Sequence, residues 1–135
     1  MDYRTVLTIC THCGCGCNFY LEVLDGQIID TIPCKTSPVN EGKLCIKGWN
    51  VHEFIQSEKR LTKPLVRKNG ELVEASWDEA LDYTVSKLKE IKEANGPDSI
   101  AFLTSAKVTH EENYLLQKFA RAGVGHHNVD HCARL

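Results

Sequence analysis

Cys10-Thr11-His12-Cys13-Gly14-Cys15-Gly16-Cys17 places four sulfurs within eight residues, and Cys45 follows downstream in Lys43-Leu44-Cys45-Ile46-Lys47-Gly48-Trp49. Disulfides between such close neighbours are strained, because bridged Cα atoms sit roughly 4.4–6.8 Å apart with Cβ vectors that face each other. A metal centre accounts for the crowding more simply. Cys10, Cys13, Cys17 and Cys45 give the pattern C-x2-C-x3-C-x27-C, three ligands on one tight loop and a fourth returning from further along. That is the spacing of a 4Fe-4S cluster, whose four thiolates approach from four directions. The local three need a backbone that turns sharply, and Gly14 and Gly16 permit it. Such a cluster with its thiolates carries a formal charge of about −2, so nearby cations and hydrogen bonds tune its potential. Lys47, two residues past the last ligand, is placed to be such a cation; a plain solvated lysine is the competing reading.

Other uses of the cysteines fit less well. A structural zinc site uses paired ligands, commonly two C-x2-C units or one with a histidine pair, and Cys34 and Cys45 lie too far apart to form the second unit. A disulfide framework leaves one of seven cysteines over, and the N-terminus Met1-Asp2-Tyr3-Arg4-Thr5 has neither a basic signal region nor a twin-arginine pair. A redox C-x-x-C does not explain Cys17 and Cys45. Cys15 and Cys34 read as small buried hydrophobes. His12 and His52 are conceivable ligands, but four cysteines already fill the site.

The 135 residues are 42% hydrophobic and 25% charged, a composition of one ordinary globular domain. Sixteen Lys and Arg against eighteen Asp and Glu leave a formal net charge of −2, with no footprint for nucleic acid or an anionic membrane. No apolar run reaches the 18 or so residues of a membrane span. The expected location is a reducing cytoplasm.

Along the chain, Thr5–Ile9 and the runs Phe19–Leu24 and Gln27–Ile32, joined by the hairpin dipeptide Asp25-Gly26, read as strands with the cysteine loop between them. Pro33–Gly42 is turn-rich. From Gly48 to about Glu58 a short helix is expected to cap the cluster with Trp49, His52, Phe54 and Ile55. A connector leads to a second hairpin around Asn69-Gly70. Ser76-Trp77-Asp78-Glu79 is a capping box opening a helix with the stripe Trp77, Ala80, Leu81, Thr84, Val85, Leu88 and Ile91, which ends near Asn95-Gly96-Pro97. Ser99–Thr104 reads as a buried strand. Thr109-His110-Glu111-Glu112 opens a further helix to about Gly123 with Tyr114, Leu115, Phe119 and Ala122 inward. His110, His126, His127 and His131 read as loop or cap residues. Helix, strand, helix is the start of an α/β layer, and its strand is expected to lack its neighbours within this chain. The fold class expected is α+β: a β-rich 4Fe-4S domain at residues 1–58, a connector with a hairpin at 59–75, and the incomplete first part of an α/β domain at 76–135.

Together, the cysteine pattern with Cys45-Ile46-Lys47-Gly48, Ser76-Trp77-Asp78-Glu79-Ala80-Leu81, Gln117-Lys118-Phe119-Ala120-Arg121 and Asn128-Val129-Asp130-His131-Cys132-Ala133-Arg134-Leu135 resemble the N-terminal end of a molybdopterin-dependent formate dehydrogenase catalytic subunit. The resemblance covers essentially the whole chain. Its cysteines, Lys47 and tryptophan box are shared across molybdenum and tungsten oxidoreductases, nitrate reductases included; the Asp-His-Cys-Ala-Arg-Leu ending is more specific. His12, where that family more often has an aromatic residue, and Cys15 depart from the pattern without removing a ligand. The resemblance implies a formate dehydrogenase or DMSO reductase-like fold and interconversion of formate and carbon dioxide at molybdenum or tungsten on two molybdopterin guanine dinucleotides. It implies that Cys10, Cys13, Cys17 and Cys45 hold the 4Fe-4S cluster, with Lys47 as electron relay between cluster and pterin. The partners implied are the remainder of the catalytic subunit and an iron-sulfur, hydrogenase or NAD(P)-reducing subunit. It also implies that the metal's cysteine or selenocysteine ligand follows directly after Leu135. A reading frame cut at a selenocysteine codon is therefore expected, with a product inactive alone. The competing readings are another molybdopterin oxidoreductase, such as a nitrate reductase, and a free-standing ferredoxin-like electron carrier.

Overall fold

The computed structural model describes residues 1–132; Ala133-Arg134-Leu135, where the sequence reading sets the approach to the metal ligand, lie outside the described residues. The chain forms two compact units. One comprises Met1–Arg60, Ser105–Tyr114 and Cys132, the other Leu61–Thr104 and Leu115–His131.

The first unit is built on an antiparallel meander of β1 (Tyr3–Ile9), β2 (Asn18–Leu24) and β3 (Gln27–Pro33), in that spatial order. The last β1–β2 pair is Ile9 with Asn18. One step further, the Cys10 N–H donates to the Cys17 carbonyl at 2.8 Å, so the ladder's next rung closes the cysteine loop. Asp25 and Gly26 both take positive φ, 47° and 84°, the conformation a two-residue type I′ turn requires. Phe19, Cys10 and Val51 form the buried centre, flanked by Cys17, Leu21, Leu44 and Ile55. Full burial of a side chain such as Phe19 contributes about 1.5–3 kcal/mol. The outer edge of β3 is covered by an amide side chain: Gln56 accepts from the Ile28 N–H at 2.8 Å and donates to the Ile28 carbonyl at 3.0 Å, as a neighbouring strand would.

The return to Cys45 turns through Glu41 and Gly42, at φ 48° and 79°, with Lys35 lying against Gly42. In place of the single helix expected from Gly48 to Glu58, two short ones form, α1 (Ile46–Trp49) and α2 (Val51–Ile55). They part at Asn50, whose side-chain amide donates to the Ile46 carbonyl at 2.7 Å and competes with helix continuation.

The second unit opens with a hairpin of β4 (Leu65–Lys68) and β5 (Glu71–Glu74), turned by Asn69 and Gly70 at φ 52° and 89°. Helix α3 (Trp77–Asn95) starts where the cap sequence sets it, the Ser76 hydroxyl accepting the Glu79 N–H at 3.1 Å. The Glu79 carboxylate does not complete the expected reciprocal box; it pairs with Lys68 of β4. At the next helix, α4 (His110–Lys118), the box is complete, with Thr109 and Glu112 exchanging both bonds at 2.7 and 3.3 Å. Gly96 ends α3 at φ 82°, a 3₁₀ turn at Pro97–Ser99 follows, and β6 covers Phe102–Thr104.

Two expectations are corrected in this unit. β6 does have a neighbour from the same chain, β7 (Val129–His131), which pairs parallel with it, Phe102 against Val129. Asn128 secures the approach: its amide donates to the carbonyls of Asp98 and Ile100 at 3.1 and 3.3 Å, and its own carbonyl accepts the Phe102 N–H. The expected inward residues of this helical stretch also differ. Tyr114 and Leu115 in α4 are exposed, and in the π-helical turn over Phe119–Val124 that follows it Phe119 and Ala122 are exposed while Ala120 and Val124 are buried. A turn of i→i+5 bonds rotates the following residues away from the α-helical face. The α3 stripe is likewise open, with Trp77 66% and Leu81 55% exposed.

Candidate metal centre

Within the first unit, Cys10 directly follows β1, the loop carries Cys13, and Cys17 directly precedes β2, so one β-ladder anchors both ends of the local candidate set. Cys45 is the N-cap residue of α1. That position points backbone N–H groups of a helix start at its sulfur, and the Gly48 and Lys47 amides, aided by the Lys47 charge, hold the thiol below its usual range against the opposing effect of burial. Cys10 and Cys17 behave oppositely. Burial pushes both upward; the Cys10 thiol feels Cys13 and Cys45 as like charges, and the Cys17 thiol feels Cys15, Cys10, Cys13 and Cys45. The four expected ligands therefore lie within one another's fields. A cationic centre relieves that repulsion.

An all-sulfur donor set is the kind an iron-sulfur cluster takes. Zinc at about 2.3 Å from each sulfur would draw its thiolates to about 3.8 Å of one another, whereas a cuboidal core keeps them apart on its corners. Amide hydrogens directed at Cys45, and the His12 amide at Cys10, are the kind of donor that stabilises a charged iron-sulfur core.

Lys47 is exposed on α1 and contributes a favourable field at both Cys10 and Cys45. It also lines a pocket of about 210 Å³ with Ala106, Lys107 and Cys132, all in the first unit. There the Cys132 sulfur accepts the Ala106 N–H at 3.4 Å and lies 3.5 Å from the Ser105 hydroxyl. The second ammonium, Lys107, is marked in the sequence only by its place in the loop leaving the carboxyl end of β6, where α/β proteins bind ligands.

Several side chains sit elsewhere than expected. Cys15 is exposed in the loop rather than buried. Cys34 is buried, as expected of a small hydrophobe, yet its thiol is drawn below its ordinary range by the Thr36 hydroxyl first, then by the Tyr20 hydroxyl and the Thr36 and Ser37 amides, with burial opposing. Val51, not Trp49 or Phe54, packs on Cys10; Trp49 and Phe54 are about two-fifths exposed. Phe54 instead meets the His12 ring at 5.4 Å and carries Arg60 over its face at 5.4 Å. His52 bonds Thr31 at 3.1 Å. His110 is more than a cap residue: its imidazole lies against Gly14, where an added Cβ would meet Cε1 at 2.9 Å.

A β-bounded loop of cysteines, a returning cysteine at a helix start and a following parallel β-α-β passage define an iron-sulfur unit joined to an α/β layer. The chain belongs to the molybdopterin oxidoreductase family: residues 60–135 match that family, and residues 3–57 match its Fe4S4 domain. It is 54% identical over 134 residues to F420-dependent formate dehydrogenase 2 subunit alpha of Methanococcus maripaludis, covering 99% of this chain and 19% of that protein. The F420-dependent formate dehydrogenase subunit alpha of Methanocaldococcus jannaschii is 48% identical over 135 residues, covering 100% and 19%. Among solved structures, acetylene hydratase from Pelobacter acetylenicus matches with a TM-score of 0.68 at 29% identity, covering 93% of this chain and 18% of that one. The chain thus spans about a fifth of the length of the curated relatives it matches. Among the described residues no helix is long and apolar enough to cross a membrane.

Proposed function

We propose that this chain is the electron-transfer end, and the beginning of the pterin-binding part, of the catalytic subunit of a formate dehydrogenase or carbon dioxide reductase. The observation that carries the reading is Cys45 at the start of α1, within the field of the Cys10–Cys17 loop and two residues before a lysine that faces its own pocket. Cys10, Cys13, Cys17 and Cys45 would hold a 4Fe-4S cluster. When bound, the cluster supplies one-electron steps and a molybdenum or tungsten pterin supplies the two-electron chemistry between formate and carbon dioxide. Lys47 sets a positive charge beside the candidate ligand sulfurs, which lowers the cost of an added electron, and also lines the pocket with Lys107, which supports its reading as a relay between cluster and pterin. Lys47 and Lys107 present two ammonium groups suited to an anionic dinucleotide. Val51 and Phe19 pack on Cys10 and keep water from that corner.

The names of the relatives from Methanococcus maripaludis and Methanocaldococcus jannaschii support formate as substrate and F420 as one destination of the electrons. An iron-sulfur, hydrogenase or NAD(P)-reducing subunit would serve the same role, and a cytoplasmic location fits a chain with reduced cysteines. The curated relatives are about five times as long, and turnover of formate belongs to that whole length; the 135 residues by themselves should show no activity on formate.

The test is anaerobic reconstitution with iron and sulfide, iron counting, and low-temperature electron paramagnetic resonance after dithionite reduction. About four irons per chain with a reduced 4Fe-4S signal is expected, the signal in Cys45→Ser fading as the iron at that corner is shed. Tight zinc binding with no iron signal would overturn the reading.

A further inference from the structure

Asn40 is only 8% exposed, and both ends of its side-chain amide are engaged. Its Oδ1 accepts the Asn18 N–H at 2.9 Å. Its Nδ2 donates to the Asn18 carbonyl at 3.1 Å and to the Lys43 carbonyl at 3.0 Å. Asn18 directly follows Cys17, and Lys43 comes two residues before Cys45. A single planar amide therefore takes both hydrogen-bonding groups of the residue after the local loop and, from its remaining hydrogen, fixes the segment that returns the distant cysteine.

The amide is itself held in place. The Asn40 carbonyl accepts the Lys43 N–H at 2.7 Å, and its N–H reaches the Ser37 hydroxyl at 3.4 Å. That hydroxyl, on a residue 4% exposed, donates to the Asn18 side-chain oxygen at 2.9 Å. Buried polar groups that satisfy one another allow little substitution. Aspartate has the shape of asparagine but no hydrogens to give, alanine has neither end, and glutamine is one methylene too long for the same three atoms.

We infer that Asn40 is a positioning residue for the cluster: it sets the separation of the Cys17 and Cys45 corners. The inference rests on the reading of those two cysteines as ligands. Its chemical consequence concerns one corner. With Cys45 displaced, the iron it holds leaves as Fe²⁺ from a [4Fe-4S]²⁺ core, and a formally neutral [3Fe-4S] core stays on Cys10, Cys13 and Cys17, so charge and atoms balance without an oxidant.

The experiment follows iron release to a ferrous chelator, without oxygen, from the reconstituted 135-residue chain and its Asn40→Ala, Asn40→Asp, Cys45→Ser and Asn40→Ala/Cys45→Ser variants. From the asparagine variants, one iron of about four should leave at least about tenfold faster than in the parent while the others stay slow, given the hydrogen bonds lost. Cys45→Ser should show the same labile corner, and the double variant should be no faster than Cys45→Ser alone, the mark of two residues acting on one step. Loss of all irons at one common rate, or a double variant faster than Cys45→Ser, would overturn the inference and make Asn40 a general fold residue. Release from Cys45→Ser unchanged from the parent would instead overturn the ligand reading beneath it. Should Asn40→Ala fail to fold, Asn40→Asp carries the test, since it keeps the shape and the acceptor for Asn18.

Discussion

Gly14 sits between two of the clustered cysteines with the His110 imidazole in the space a side chain would take. Gly14→Ala should therefore destabilise the chain by about 1 kcal/mol, and His110→Ala in the same chain should recover most of that loss because it empties the contested space; urea unfolding of the two single variants and the double variant measures it. Thiol chemistry at the proposed ligands has a direction too. The Cys45 thiol is depressed and exposed, whereas those of Cys10 and Cys17 are raised by burial and by their neighbours. In metal-free chain near neutral pH, iodoacetamide should label Cys45 well before Cys10, read by peptide mass spectrometry, since the thiolate is the reacting form. Cys34 gives a pH dependence. Its folded thiol lies below the ordinary 9.0, so its thiolate stabilises the fold fully above the unfolded pKa, and that contribution is lost as pH falls through the folded value. The stability gap between parent and Cys34→Ser should thus widen from about pH 7 to about pH 9.5. A flat gap would mean that the Thr36, Tyr20 and amide donors do not favour the thiolate.

The elements differ in how much of their own structure they carry. Both hairpins are local, because Asp25-Gly26 and Asn69-Gly70 adopt the paired positive φ values that bring right-twisted strands together. Helix α3 rests on one cap bond, since Glu79 is committed to Lys68. Ser76→Ala should cost about 1 kcal/mol and fray the first turn, seen as a lower thermal midpoint and lower helicity. Glu79→Gln should cost much less, because its partner is a surface ion pair. Helix α4 has both halves of its box, and its first residue reaches the cysteine loop. Its cap therefore does more than start a helix: it determines where His110 stands.

For the molecule as a whole, the first unit has a small closed centre at Cys10, Phe19 and Val51. The second exposes much of its apolar surface: Leu103 on β6 is 80% exposed, Trp77 66% and Leu81 55%. A parallel pair of strands is ordinarily buried on both faces, so such surface associates when nothing covers it. Light scattering of the 135-residue chain should show concentration-dependent association, reduced by Leu103→Lys with little change in the unfolding midpoint. Unchanged scattering would place the associating surface elsewhere, on the α3 stripe or the residues exposed in α4.

The sequence alone determined both hairpin turns, the start of α3 and α4, the spacing that proposes the cysteine set and the resemblance to molybdopterin oxidoreductases, because the turns, the caps and the local cysteine loop are written in residues a few positions apart whose chemistry has few other uses. Cluster spacing, Asn-Gly and Asp-Gly turns and cap serines or threonines act through local geometry. Tertiary structure alone decided that Cys45 caps a helix beginning two residues earlier than its apolar pattern suggests, and that Val51 rather than Trp49 packs on Cys10. It also decided that β7 enters beside β6, and that Lys107, His110 and Asn40 stand where they do. Those outcomes depend on contacts between residues tens of positions apart. The partner of a buried amide or an imidazole is chosen by which backbone the fold brings within hydrogen-bond or van der Waals reach, and that choice leaves no mark in the spacing of the chain.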